Sequence, residues 1–116
     1  MWYSSRLILK RTVGNQISDF IFDEQVRLIE AGNDEEAYTK ALKLGQGEEC
    51  EYWTSEQEEV KWTFAGLSDL HCIDKSLEDG VEIISKRFIA QSSDNLIVQK
   101  WELPIFFRKI NKDENA

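Results

Sequence analysis

The residue types best suited to catalysis lie together in one short segment, 69–74, with the sequence Asp-Leu-His-Cys-Ile-Asp. A cysteine nucleophile requires a histidine base within hydrogen-bonding distance. Neighbouring side chains of an extended chain point to opposite faces, so His71 and Cys72 could not form such a pair there. His71 is the only histidine, and a metal site would need further ligands from distant parts of the chain. We therefore predict no catalytic residue, no metal site and no cofactor.

A second candidate site is the acidic run from residue 48 to residue 59, which contains no lysine or arginine. Concentrated negative charge accelerates the encounter with a basic protein, and aromatic side chains buried in an interface slow its dissociation. The run therefore predicts a partner-binding surface. A solvated hairpin with both of its aromatic residues in the core would show the same pattern. The predicted partner-binding residues are Glu48, Glu49, Glu51, Tyr52, Trp53, Glu56, Glu58 and Glu59.

The overall charge limits the classes of partner. The chain has 14 basic and 22 acidic side chains among 116 residues, for a formal net charge of -8. Nucleic acids and anionic membranes bind basic surfaces, so we expect neither as a partner and expect a basic protein instead. Cys50 and Cys72 show no disulfide or zinc spacing, and no apolar run is long enough to span a bilayer. These features predict a cytoplasmic protein with free thiols.

The strands that must position these residues are visible in the hydrophobic pattern. Alternating apolar and polar residues are typical of strands with one buried face, and turn residues separate such segments. The pattern predicts strands over 2–13, 20–28, 50–54, 60–66 and 81–90, and a last edge strand over 96–103 that ends before Pro104.

One amphipathic helix is predicted over 33–45. Asn33 can cap the first turn, Glu36 is placed as in a capping box, and Gly45 follows the last apolar residue as a stop. Together the elements predict an α+β domain. We expect an antiparallel sheet of four to six strands with the helix on one face, in the order strand, strand, helix, strands.

The domain is expected to span residues 1–110, with 111–116 as a frayed tail. A single helix of about three turns cannot cover such a sheet, so the other face needs cover from the end of the chain or from a second copy. The aromatic residues suited to this cover are Trp101, Phe106 and Phe107. The sequence therefore allows a homodimer as well as a monomer.

Short motifs lie along the chain in a fixed order. They are Met-Trp-Tyr-Ser at 1–4, Phe-Asp-Glu-Gln-Val at 22–26, Val-Lys-Trp-Thr-Phe-Ala-Gly at 60–66 and Asp-Gly-Val-Glu-Ile at 79–83. In order and spacing they resemble an uncharacterised family of short bacterial domains, over residues 1 to about 88. The resemblance implies a compact α+β domain and no transferable activity. Residues 56–58 stand where the family tends to have a glycine turn.

These features favour a protein-binding inhibitor. A small acidic protein that neutralises a basic toxin such as a nuclease, as bacterial immunity proteins do, needs a charged aromatic surface and no active site. Two alternatives stand beside this hypothesis. One is a small enzyme or ligand-binding domain that uses Asp69, His71 or Glu82, and the other is a scaffold component of a larger complex.

Overall fold

The computed structural model describes residues 1–106 of the chain. These residues divide into two compact units, Met1–Ser85 and a second unit that begins at Lys86. The first unit contains the sheet and the helix, which confirms the predicted α+β class and the order strand, strand, helix, strands. Its elements are β1 (Trp2–Val13), β2 (Ile21–Glu30), α1 (Asp34–Gly47), β3 (Cys50–Trp53) and β4 (Glu59–Ile73).

The four strands form one antiparallel sheet in the spatial order β2-β1-β4-β3. β1 is central, because it pairs with β2 on one side and with β4 on the other. Trp2 lies opposite Glu30 and Ile73 in these two pairings. β4 is longer than the predicted strand over 60–66, since residues 67–73 pair with the first half of β1. β2 and β3 are the two edges of the sheet.

The helix α1 crosses one face of the sheet. It buries Ala37 and Ala41, whose small side chains allow a close approach to the strands. Leu7 on β1 is also fully buried. The main core cluster consists of Tyr3, Ile29, Ala31, Ala37 and Ala41, with Leu67, Leu70 and Cys72 packed against it.

The Asn33 cap of α1 forms as predicted, whereas Glu36 binds Gly32 N rather than the Asn33 N–H of a capping box, and the helix does not end at the predicted glycine. Asn33 Oδ1 accepts a hydrogen bond from Glu36 N at 2.8 Å, and Glu36 Oε2 accepts one from Gly32 N at 2.9 Å. Gly45 was predicted to stop the helix, and this was wrong, because α1 continues to Gly47. A side chain at Gly45 would overlap the ring of Phe64, so this glycine serves close packing. No helix within residues 1–106 is long and apolar enough to cross a bilayer.

Two predicted strands are absent from the part of the chain that the structure describes. Residues 81–90 pair with no other described segment, and an extended segment becomes a strand only when a neighbouring backbone pairs with it. Residues 96–103 contain a short 3₁₀ helix, Lys100–Glu102, and helical residues begin at Pro104. The fixed φ of proline suits the first position of a helical turn. Both predictions were wrong, because alternation does not reveal whether a pairing partner exists.

The second unit exposes much of its apolar surface. Trp101 is 70% exposed, and Phe106 is half-buried with Lys100 Nζ 5.4 Å from the centroid of its ring. Phe107 and the predicted tail 111–116 lie outside the described residues. That the three aromatic residues cover a sheet face or join two copies stays a prediction, and so does the single domain over 1–110.

Candidate functional site

The acidic run 48–59 forms a β-hairpin, termed the acidic hairpin, in which β3 pairs with the start of β4. Two hydrogen bonds hold its tip: Thr54 N donates to Glu58 O at 2.9 Å, and Glu58 N donates to Thr54 Oγ1 at 3.1 Å. Gln57 at the tip has φ +63, a left-handed conformation that favours glycine. The hairpin therefore keeps a polar residue at a backbone position where glycine would be less strained.

Both aromatic residues of the acidic hairpin are exposed. Tyr52 is 47% exposed and Trp53 is 68% exposed. They lie on opposite faces, because neighbours on a strand alternate. Tyr52 shares its face with Val60, and Trp53 shares the other with Glu59. The alternative in which both belong to the core is therefore wrong, while a role in binding stays a prediction.

The six glutamates of the run differ in their partners within the chain, and Glu59 pairs with Lys61 on β4. Glu48 forms an ion pair with Arg27, with Oε1 and Nη2 separated by 2.7 Å. Glu49 Oε2 accepts a hydrogen bond from Phe64 N at 2.9 Å. These residues connect the end of α1 to the sheet and stand at the base of the hairpin. Among the residues that the structure describes, no basic side chain forms an ion pair with Glu51, Glu56 or Glu58.

The face of the hairpin that carries Trp53 is the more acidic one. The strand register places Glu51 opposite Lys61 and Trp53 opposite Glu59, so these four residues share a face. Glu59 and Lys61 form an ion pair at 3.7 Å. An exposed ion pair contributes only about 0–1 kcal/mol, so a partner could replace it at small cost. Trp53 thus lies between Glu51 and Glu59 on an open surface.

His71 lies beside a small cavity of about 200 Å³ at the end of β4. Cys72 packs against the core on the opposite face, which confirms that the imidazole and the thiol are separated. Asp69 lies opposite Arg6 and does not line the cavity. Within residues 1–106, no three His, Cys, Asp or Glu side chains are grouped to hold a metal ion. The cavity is lined by His71, Ile73, Asp74, Lys75, Glu82 and Ser85.

Two side chains, Tyr3 on β1 and Glu36 in the first turn of α1, have shifted pKa values. Burial, together with the hydrogen bond that Tyr3 Oη donates to Asp34 at 2.8 Å, raises the pKa of Tyr3 to about 12. The backbone N–H of Gly32, followed by Lys40, holds the pKa of Glu36 below its ordinary value. Tyr3 links the sheet to α1, Glu36 binds Gly32 just before the helix and Lys40 within it, and both groups lie outside the acidic hairpin. Their shifts are therefore structural in origin.

The edge strand β2 carries an exposed apolar surface that the sequence pattern does not predict. Phe22, Val26 and Leu28 are about half exposed on it. Their alternation is typical of a buried face, and the same pattern arises on an apolar edge that is open to solvent. A cavity of about 460 Å³ lies where β2 ends beside α1, and Leu28 and Leu44 contribute to its lining. Only the position of β2 in the sheet reveals this surface.

The fold and the hairpin define a small α+β domain with one helix on one face of a four-stranded sheet. The chain belongs to the family described as a domain of unknown function (DUF4288), which matches residues 2–85. This match coincides with the unit Met1–Ser85 and includes the acidic hairpin. No curated protein matches the chain, and no solved structure matches it.

Proposed function

We propose that the domain is a protein-binding inhibitor, and specifically a bacterial immunity protein that neutralises a basic toxin domain such as a nuclease. One observation carries the proposal: Trp53 is exposed on a hairpin whose outer glutamates have no ion-pair partner among the described residues. A tryptophan inside the core could not contact a partner unless the domain rearranged. Trp53 is already available on the surface.

The free charges of the acidic hairpin suit the first step of binding. Glu48 and Glu59 form ion pairs with Arg27 and Lys61, whereas Glu51, Glu56 and Glu58 are exposed and form no ion pair within the described residues. Charges clustered on a projecting hairpin steer an oppositely charged protein and raise its association rate by about 10 to 1,000-fold. Steering weakens beyond a Debye length of about 8 Å at physiological salt.

The aromatic side chains suit the second step, in which the partner is held. Interfaces draw most of their free energy from a few well-buried residues, among which tryptophan and tyrosine are enriched. Trp53 is the stronger candidate, because it is more exposed than Tyr52 and shares its face with Glu51. Charge complementarity around an aromatic centre also discriminates against partners of the wrong charge.

An inhibitor that acts through its surface charge needs no catalytic residues. A nuclease holds the phosphates of its substrate on basic side chains, and an acidic protein surface competes for the same side chains. With a net charge of -8, this chain can act in that way without an active site. The proposal therefore includes no enzymatic activity. It also places the protein in the cytoplasm, where the free thiols Cys50 and Cys72 would stay reduced.

The test is the rate of association with a basic protein recovered by pull-down with this chain as bait. The variant Glu51→Lys/Glu56→Lys/Glu58→Lys reverses the free hairpin charges and leaves both hairpin ion pairs in place. The matched control Glu78→Lys/Asp79→Lys/Asp94→Lys changes the net charge equally on exposed residues outside the hairpin. We expect the hairpin variant alone to associate about ten-fold more slowly at low salt, with a smaller difference at high salt. Equal slowing by both variants would exclude the hairpin as the binding site.

A second variant separates the effect on the dissociation rate from the effect on the association rate. Trp53→Ala should leave the association rate nearly unchanged and accelerate dissociation about 30-fold, which corresponds to a loss of about 2 kcal/mol. In cells that express the toxin, the same variant should protect growth less well than the unmodified chain. Dissociation at the unmodified rate would show that Trp53 does not contact the partner.

The cavity beside His71 favours a second candidate function, binding of a small polar ligand. It brings an imidazole, an amine, a hydroxyl and two carboxylates to one place. Its volume of about 200 Å³ lies below the range of about 300–1,000 Å³ that is usual for ligand pockets. Ligand-induced NMR shifts at His71 and Ser85 that disappear in Glu82→Gln would support this function. A scaffold role would instead leave these signals unchanged and require a stable multi-protein complex.

A further inference from the structure

The outer edge of β2 carries backbone hydrogen-bonding groups that point away from the sheet. Met1 and Ala31 exchange two backbone hydrogen bonds of 2.9 Å, and the register then continues without a bulge to Arg11 opposite Ile21. In an antiparallel pair, residues alternate between those that bond to the neighbour and those that point outward. The outward groups therefore belong to Phe22, Glu24, Val26, Leu28 and Glu30.

One observation confirms this orientation and marks where the open edge ends. Lys40 Nζ on α1 donates a hydrogen bond to Glu30 O at 2.7 Å, so this carbonyl is already occupied. Within residues 1–106, no strand pairs with the outer side of β2. The open edge therefore extends from Phe22 to Leu28. A strand edge with unpaired backbone groups is a template for another β-strand.

The side chains of β2 indicate which β-strand can pair with this open edge. We infer that β2 pairs with β2 of a second copy, antiparallel about a twofold axis beside Gln25, so that the two sheets form one continuous sheet. Phe22 then lies opposite Leu28 of the second copy, Asp23 opposite Arg27, and Glu24 opposite Val26. Arg27 keeps its ion pair with Glu48 through Nη2, so its Nη1 atom is the group that meets Asp23. The symmetry creates each pair twice, and opposite charges or apolar groups across a strand pair stabilise the pairing.

The neighbouring registers are less favourable. A shift of two residues in one direction places Glu24 opposite Glu24, and like charges directly opposite each other destabilise a sheet, even though each Glu24 keeps its ion pair with Arg6. The same shift moves Asp23 from Arg27 to Gln25. A shift in the other direction places Asp23 opposite Ile29, so Asp23 loses the basic neighbour that it has in the register centred on Gln25. Glu24 faces an apolar residue in both of these registers, Leu28 in one and Val26 in the other. Backbone geometry allows all three registers, and the side-chain charges select the one that is centred on Gln25.

The cavity beside α1 provides a place for the end of the second strand. In the inferred register, Ile21 of the second copy lies opposite Ile29, on the face of the sheet that α1 covers. The cavity of about 460 Å³ at this position is lined in part by Leu28, Ile29 and Leu44. Ile21 is about half exposed in the single chain, so its insertion there would bury apolar surface from both copies.

The inferred dimer is independent of the proposed inhibitor function. β2 and β3 form opposite edges of the sheet, so a second copy and a hairpin-bound partner would occupy different surfaces. Loss of one interaction would leave the other in place. The two proposals therefore fail separately.

A proline substitution tests the backbone pairing. Because the N–H of Val26 points outward, Val26→Pro removes a donor from the open edge and leaves the hydrogen bonds between β1 and β2 intact. The control Val26→Thr keeps the N–H. We expect the full chain and Val26→Thr to sediment as dimers from micromolar to submillimolar concentration, and folded Val26→Pro to sediment as a monomer. A monomeric full chain, or a Val26→Pro protein that stays dimeric, would overturn the proposal.

A cysteine substitution tests the register in a background in which Cys50 is replaced by serine. Gln25→Cys places two thiols opposite each other across the twofold axis, at a Cα separation of about 4.5 Å that permits a disulfide. Glu30→Cys is the control, since it leaves the pairs between Asp23 and Arg27 in place and the two cysteines would lie roughly 33 Å apart along the strand. We expect oxidation to link the Gln25→Cys protein alone. Equal linking of both variants, or linking of the control only, would refute this register.

Amide hydrogen exchange gives a readout that needs no variant. In the dimer, the outward amides of Phe22, Glu24, Val26 and Leu28 become protected as the protein concentration rises. Protection of these amides should increase several-fold between dilute and concentrated samples. Rapid exchange at every concentration would contradict the pairing even if the proline variant failed to fold.

Discussion

The helix-covered face of the sheet and the acidic hairpin contain similar residues in opposite environments. Tyr3 beneath α1 is 1% exposed and donates its hydroxyl to Asp34, whereas Tyr52 on the hairpin is 47% exposed. Glu36 at the helix start accepts a backbone hydrogen bond, whereas no described basic residue pairs with Glu56. The helix-covered face therefore provides stability, and the hairpin leaves comparable side chains exposed to solvent.

The largest expected effect contrasts a core leucine with the exposed tryptophan. Leu7→Ala removes a fully buried side chain and should lower the free energy of unfolding by about 2–5 kcal/mol. Trp53→Ala removes a larger side chain but should change it by less than about 0.5 kcal/mol, because Trp53 is on the surface. Urea denaturation followed by circular dichroism measures both. A comparable loss in Trp53→Ala would break the distinction between the two regions.

The next effect depends on how closely α1 approaches β4. Gly45→Ala introduces a methyl group where the ring of Phe64 lies, and the resulting overpacking should destabilise the domain by about 1–3 kcal/mol. Gly47→Ala is the matched control in the same helix. No atom lies within 4 Å of its added Cβ, so this variant should gain up to about 1 kcal/mol from helix propensity. Equal melting temperatures for the two variants would show that the Phe64 ring moves aside freely.

A smaller effect concerns the helix cap. Asn33→Ala removes the acceptor for Glu36 N and should cost about 1 kcal/mol, whereas Asn33→Asp keeps an acceptor and should retain most of the stability. The corresponding bond in the hairpin runs from Glu58 N to Thr54 Oγ1. Thr54→Ala should cost less, because water can reach the freed amide on the exposed hairpin. Chemical denaturation of the three variants tests this order.

The last effect is absent at neutral pH and concerns Tyr3. Because its pKa is raised from 10.0 to about 12, the unfolded chain ionises first as the pH increases. The stabilising contribution is complete below pH 10 and is lost as the pH rises toward about 12. Tyr3→Phe should show a smaller loss over this interval in pH-dependent urea denaturation. An identical loss in both proteins would assign the alkaline transition to another group.

Much of the fold was predictable because its signals are local. The alternation of β1 and β2 and the cap at Asn33 depend on residues close in sequence, and each was predicted correctly. Residues 81–90 show a similar alternation and form no strand, since strand formation also requires a partner that local sequence does not specify. Gly45 is misleading for a related reason, because its role depends on Phe64, a residue distant in sequence.

The candidate site was predictable only in part. The composition of residues 48–59 identified the acidic hairpin, yet it gave equal weight to all six glutamates. The structure separates Glu48 and Glu49, which bond to Arg27 and Phe64, from the free glutamates nearer the tip. The open edge of β2 was not predicted at all, because the order of strands in a sheet follows from long-range pairing.

By itself, the sequence determined the net charge, the α+β class, the cap of α1 and the position of the acidic run, since composition and local hydrogen bonding govern these properties. The tertiary structure alone decided that Trp53 is exposed, that Gly45 packs against Phe64 and that β2 is an edge. Exposure and strand order depend on which distant segments meet. For this reason both proposed interaction surfaces, the acidic hairpin and the edge of β2, became identifiable only in the folded chain.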